Sequence, residues 1–133
     1  MSRSSPRPIM ILIVDDVVVN LKLLGQILQD HYQVCFATSG RKALELVALS
    51  RPDLVLLDLG LPDMNGIEVC RAIREKPETR ELPVIFITGR EEALEVDPVC
   101  ARAWEERIDK PVDARRLLER IRFCLKPVVA GGG

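Results

Sequence analysis

Apolar residues in this chain fall into short unbroken runs separated by stretches of helical period. Residues 9–14 form the first run and end in Asp15-Asp16, 54–57 form another and end in Asp58, and 83–87 are stopped by Thr88-Gly89. Runs of this length, rich in Val, Ile and Leu, read as strands buried on both faces of a parallel sheet. Residues 32–37 alternate and favour β structure, which predicts strand 2. A short strand 5 is expected near 105–109, ahead of Lys110-Pro111.

Between these runs the spacing becomes helical. Helix 1, about 18–30, puts Leu21, Leu24 and Leu28 on one stripe. Thr38-Ser39-Gly40 supplies an N-cap for helix 2, where Ala43, Leu44, Val47 and Ala48 share a face. A turn-rich loop at 60–66 feeds helix 3, whose inner face is Val69, Cys70 and Ile73 and which Lys76-Pro77 ends. Residues 91–104 favour helix at first, but Pro98 must interrupt or restart it. Helix 5 spans about 113–125 with Leu117, Leu118, Ile121 and Leu125 inward.

Five strands alternating with helices predict an α/β domain. It is a doubly wound (βα)5 fold with right-handed crossovers and a five-stranded parallel sheet of order 2-1-3-4-5. The folded unit is expected over 9–126. Residues 1–8 read as a loose tail, and 127–133, closing on three glycines, as a linker.

That strand order sets strands 1 and 3 side by side at the topological switch point, where open α/β sheets place their chemistry. Asp15, Asp16 and Asp58 would meet there. Converging carboxylates repel unless a cation neutralises them, and an all-oxygen ligand set suits Mg²⁺.

Bulk properties narrow the field further. A chain of 133 residues holds one sizeable core, and 47% hydrophobic content excludes general disorder. A net charge of −1 gives no electrostatic reason for nucleic-acid or membrane-surface binding. Cys35, Cys70, Cys100 and Cys124 form no C-x-x-C pair and read as reduced core residues. With no apolar stretch long enough for a membrane and no signal-peptide core, a cytoplasmic protein is expected.

Four polar signals now stand at strand ends: Asp15-Asp16, Asp58, Thr88 and Lys110-Pro111. With the loop Asp58-x-x-Leu61-Pro62-x-Met64-Asn65-Gly66, the chain resembles the receiver domains of two-component response regulators. The resemblance implies that Asp58 is a phosphoacceptor, a carboxylate nucleophile forming an acyl phosphate. It implies Mg²⁺ held directly by Asp16 and Asp58, by Asp15 through water, and by the Gly60 carbonyl. Thr88 would hydrogen-bond one phosphoryl oxygen and Lys110 would pair with another, aimed by a cis Lys110-Pro111 bond. The implied donor is a histidine kinase or phosphotransfer protein. The implied chemistry is self-phosphorylation and self-dephosphorylation, not turnover of a separate substrate.

The chain departs from the family pattern between strands 4 and 5. Arg107 stands where Tyr or Phe is usual, Ala103-Trp104 replaces a Gly-Ala pair, and Gly89 follows Thr88. These changes touch the aromatic switch and the face of helix 4, strand 5 and helix 5, the expected homodimer or partner surface. Gly60 and Arg90, two residues beyond Asp58 and Thr88, sit where phosphoryl lifetime is set. Asn20 is expected on the helix-1 surface, and His31 at a helix end. Arg115, Arg116, Arg120 and Arg122 are expected on a solvated face paired to Glu119 and its neighbours.

Two further readings remain. One is a receiver-fold interaction module that does not rely on phosphorylation. The other is the regulatory fragment of a larger cyclic-di-GMP-type enzyme, suggested by Asp16-x-x-x-Asn20 and the Lys110-Pro111-Val112-Asp113 segment. The architecture is flavodoxin-like, but two aspartates after strand 1 would repel a flavin phosphate.

Overall fold

The computed structural model of this chain describes residues 8–89 and 98–125. The expected tail before Pro8, the C-terminal linker, Arg90 and the first half of the 91–104 stretch lie outside the described residues.

Five strands alternate with helices along the chain: β1 (Met10–Val14), α1 (Val18–Leu28), β2 (Gln33–Ala37), α2 (Gly40–Ser50), β3 (Leu54–Asp58), α3 (Gly66–Glu75) and β4 (Val84–Thr88). A single 3₁₀ turn, Pro98–Cys100, leads into α4 (Ala101–Glu105), followed by β5 (Ile108–Asp109) and α5 (Ala114–Leu125). The sheet order is β2-β1-β3-β4-β5 and every pairing is parallel. This is the flavodoxin-like (βα)5 architecture that the apolar pattern predicts.

Side-chain alternation in the strands divides the core in two. Leu12, Val14, Val55, Leu57 and Phe86 face α2, α3 and α4, where Val47, Val69, Ile73 and Ala103 meet them. Ile11, Ile13, Leu56, Ile85 and Ile87 face α1 and α5, packing on Leu24, Leu28, Leu117 and Ile121. Every residue of β3 and β4 is buried, so neither strand has a polar face. Side-chain oxygens hold the starts of α2 and α3. Ser39 Oγ accepts the Lys42 N–H of α2 at 3.1 Å, and Asn65 with Glu68 forms a reciprocal capping box on α3.

The expected strand at 105–109 is confined to Ile108–Asp109. Pro98 does restart a helix, but that helix runs through Glu105, and its end winds on. Glu106 N–H donates to the Arg102 carbonyl and Arg107 N–H to the Trp104 carbonyl, both at 3.2 Å. Those bonds remove 105–107 from the sheet. Cys35, Cys70, Cys100 and Cys124, all among the described residues, form no disulfide.

Two glycines beside β3 make contrasting demands. A Cβ on Gly66 would stand 2.6 Å from the Asp58 carbonyl oxygen and 3.0 Å from Leu59 Cα, both backbone atoms. A Cβ on Gly60 would meet nothing within 4 Å. Gly66→Ala is expected to cost about 2 kcal/mol in urea denaturation, since the backbone must shift to admit it. Gly60→Ala is expected to stay within about 0.5 kcal/mol of the parent. Equal effects at the two positions would contradict this packing.

Candidate functional site

Strand register brings the acidic residues together. Val14 pairs with Leu57, so Asp15 and Asp58 follow side by side at the carboxyl edge of β1 and β3. The Asp15 N–H donates to the Ala37 carbonyl at 3.1 Å, continuing the β1–β2 ladder by one residue. Carboxylate oxygens of Asp15, Asp16 and Asp58 all lie within 4.8 Å of one another. Asp15 is 1% exposed and Asp58 7%, whereas Asp16 is open to solvent.

Among the described residues, Lys110 is the cation paired with this charge. Lys110 Nζ lies 3.4 Å from Asp58 Oδ1 and 3.8 Å from Asp15 Oδ2. Its backbone is fixed twice: the N–H donates to the Thr88 carbonyl at 2.8 Å, and the Lys110-Pro111 bond is cis. Thr88 is buried at the end of β4, one residue past Ile87, which pairs with Asp58. Its hydroxyl donates to the Gly89 carbonyl at 2.8 Å. Gly60 is exposed in the loop after β3.

Burial pushes the Asp58 carboxyl above its ordinary range, and the nearby Asp15 carboxylate adds to the rise. The Lys110 ammonium and the Gly60 backbone N–H pull the other way without overcoming it. The Lys110 ammonium therefore does not offset burial at Asp58. An all-oxygen cluster of three carboxylates, two of them buried, fits a hard divalent cation such as Mg²⁺.

Asn20 does not face outward as expected. Its Nδ2 donates to Asp15 Oδ2 at 3.1 Å, while Asp15 Oδ1 accepts the Val17 N–H at 2.9 Å. The Asx-type turn curls the β1–α1 connection so that the first turn of α1 folds back over the carboxylate. The Asp16-x-x-x-Asn20 spacing was the available signal, but the bond goes to the neighbouring aspartate. Arg120 also departs from expectation: its Nε lies 3.4 Å from Oε1 of the buried Glu106, not against Glu119. Arg107 sits over Trp104, with the guanidinium carbon 4.5 Å from the ring centroid and Nη1 donating to the Trp104 carbonyl at 3.1 Å. His31 is exposed just past α1, where a helix-end residue belongs.

The family profile described as "Response regulator receiver domain" matches residues 11–122. Among curated relatives, "Response regulator PleD" of Caulobacter vibrioides is 34% identical over 113 residues, covering 84% of this chain and 25% of that protein. A Vibrio cholerae protein named "Probable cyclic di-GMP phosphodiesterase" is 37% identical over 116 residues, 87% of this chain and 26% of its own length. The chain thus spans about a quarter of the length of these relatives. Among solved structures, a CheY-like response regulator receiver domain protein from Methanospirillum hungatei superposes with TM-score 0.79 at 32% identity, covering 90% of this chain and 94% of that one.

The raised Asp58 carboxyl has a defined consequence for stability. Its neutral form favours folding, so that contribution is complete below the ordinary carboxylate range and is lost as pH rises through the raised folded value. In Mg²⁺-free buffer at neutral pH, Asp58→Asn is therefore expected to unfold roughly 4 °C higher than the parent, the shift that about 1 kcal/mol produces in a domain of this size. Circular dichroism melts should show the gap closing as pH falls. A gap of constant size, or a less stable variant, would contradict the electrostatic reading.

Proposed function

The chain belongs to the response regulator receiver family of two-component signalling, and from that premise we propose that Asp58 accepts a phosphoryl group from a histidine kinase or phosphotransfer protein. An ionised Asp58 oxygen attacks phosphorus as the phosphorus–nitrogen bond of the donor phosphoimidazole breaks. The bonding pair leaves with the imidazole nitrogen, and an aspartyl phosphate forms. The observation that carries this reading is the three-carboxylate cluster with one ammonium set between Asp58 and Asp15.

Each neighbour has a defined task. Lys110 pairs with a phosphoryl oxygen once transfer draws it from the carboxylates. The Thr88 hydroxyl exchanges its Gly89 carbonyl for a second phosphoryl oxygen. Asp16, Asp58 and the Gly60 carbonyl would hold Mg²⁺ directly. Asp15, whose oxygens already serve Val17, Asn20 and Lys110, would act through water. The metal's contribution is positive charge that offsets the carboxylates and the transferring oxygens. Asn20 keeps Asp15 turned toward the cluster. Return to the resting state is hydrolysis of the same acyl phosphate, so the chain acts on itself and turns over no separate substrate.

A groove between α1 and the β5–α5 connection opens beside the carboxylates, lined by Asp15, Leu23, Leu24, Ile27, Lys110 and Val112. Exposed Val17, Val18 and Leu23 add apolar surface along α1 for the phosphodonor. Exposed Phe123, with Arg115, Arg116 and Arg122 on α5, supports a homodimer or output surface that includes α4 and β5. The family match supports a single unit over 9–126. No helix among the described residues is long and apolar enough to cross a membrane. The name of the Vibrio cholerae relative, and its much greater length, support a second reading in which this domain regulates a cyclic-di-GMP-type enzyme.

Incubation with a small acyl phosphate and Mg²⁺ should add the mass of one phosphoryl group to the intact protein. Asp58→Ala should gain none, and Lys110→Ala should label about a hundredfold more slowly. A folded parent protein that gains no mass would overturn the phosphoacceptor assignment and leave a phosphorylation-independent interaction module. Labelling that survives Asp58→Ala would move the site elsewhere.

A further inference from the structure

Gly60 enters the proposed metal set through a backbone carbonyl, and its N–H donates to the Asp58 carboxylate. It is exposed, and a Cβ built on it would touch nothing within 4 Å, so packing does not fix its position. Its place must come from the anchors of the loop that carries it, residues 59–65 between β3 and α3. One anchor is Asp58 itself, at the end of β3. A second lies at the far end, where the Gly66 N–H donates to the Leu59 carbonyl at 2.8 Å and Asn65 caps α3.

The middle of the loop is tied to a different element. Asp63 Oδ1 accepts the Gly40 N–H at 2.8 Å, and Oδ2 accepts the Arg41 N–H at 2.9 Å. These are the first two amides of α2, and Ser39 Oγ takes the Lys42 N–H. Three amides that a helix start leaves unpaired are thus all met by side chains, two of them by a residue from another loop. The carboxylate also lies at the positive end of the α2 dipole. The Arg41 and Gly40 amides hold its carboxyl below the usual range, so the contact is ionised at neutral pH.

The neighbouring residues fit the same arrangement. Met64 packs where a side chain at position 40 would otherwise stand: a Cβ on Gly40 would come within 2.3 Å of Met64 Cγ and 2.9 Å of Val69 Cγ2. Glycine at 40 therefore lets the loop seat against α2 while Asp63 bonds its amides. The loop is clamped by polar and apolar contacts side by side.

We propose that Asp63 is a positioning residue for the metal set: docked on α2, it holds the 59–65 loop so that the Gly60 carbonyl completes the oxygen ligands of Asp16 and Asp58. The inference rests on the reading of Asp58 and Gly60 given above. It makes Asp63 a partner of the site without contact to substrate or ion. Residues that orient metal ligands typically change affinity by 10–100-fold when removed.

The test compares the whole chain with Asp63→Ala, Asp63→Asn and Ser39→Ala. Mg²⁺ affinity is read by calorimetry and by the Mg²⁺-dependent rise in melting temperature, and loop order by amide hydrogen exchange at Gly60 and Leu61. Asp63→Ala is expected to raise the Mg²⁺ concentration for half-saturation about tenfold and to speed exchange at both amides. Asp63→Asn keeps an acceptor for one amide and should fall between. It also serves as the reading if the alanine variant does not fold. Ser39→Ala removes a cap from the same helix without touching the loop. It should lower the melting temperature yet bind Mg²⁺ like the parent.

An Asp63 variant that loses stability but keeps parental Mg²⁺ affinity would overturn the proposal, leaving Asp63 as a helix cap. Unchanged amide exchange in Asp63→Ala would overturn it as well. A parent protein that does not bind Mg²⁺ at all would overturn the reading of the site, and this inference with it, so the two failures are distinguishable.

Discussion

Carboxylate repulsion at the edge of the sheet is the interaction on which the rest of this molecule depends. Parallel strands β1 and β3 deliver Asp15 and Asp58 side by side into a largely buried pocket, with Asp16 close enough to complete a cluster within 4.8 Å. Burial disfavours the charged form of Asp58, and the Asp15 carboxylate beside it adds to the effect. Lys110 lies between two of them, yet the Asp58 carboxyl stays above its ordinary range. The pocket thus has an unmet demand for positive charge at the point where a phosphoryl group would add more negative charge. On the proposed reading, affinity for a hard cation and acceptance of a phosphoryl group by Asp58 are two aspects of one electrostatic imbalance.

That imbalance is held in place by backbone, which is why it persists. The Lys110 N–H is bonded to the Thr88 carbonyl, and Thr88 pairs with Asp109 across β4 and β5. Arg107 Nε approaches Asp109 Oδ1 at 3.9 Å and its guanidinium sits over Trp104, which in turn meets Phe86 edge-on with centroids 6.1 Å apart. A continuous set of contacts therefore joins the buried hydroxyl to the half-buried tryptophan. In this chain the position usually given to a swinging aromatic is occupied by a cation resting on an indole. The contact of Asp63 with α2 ties down the loop that follows β3.

Much of this was legible from the order of residues. Strands buried on both faces must be apolar throughout, so β1, β3 and β4 stand out as runs. The polar residues that end those runs are then at the sheet edge by construction. Asp15, Asp16, Asp58 and Thr88 could be read for that reason, whereas Lys110 ends no apolar run and stood out through Lys110-Pro111 and the family resemblance. Contacts that depend on how loops curl could not be read. Asn20 meets Asp15 because the Val17 amide closes a turn first, and Asp63 meets α2 across a loop whose path no local spacing encodes. Arg120 looked like a solvated charge until the buried Glu106 gave it a partner. Strand β5 came out shorter than expected because α4 winds on through Arg107, a competition that helix and strand propensities over a few residues do not decide.

Carbon-13 NMR of the Asp58 carboxyl measures directly the ionisation on which this site turns. Titration without divalent cation should give a value above the ordinary aspartate range, and saturation with Mg²⁺ should bring it down. An ordinary value that Mg²⁺ leaves unmoved would contradict the account, because the three carboxylates would then neither repel one another nor share a cation.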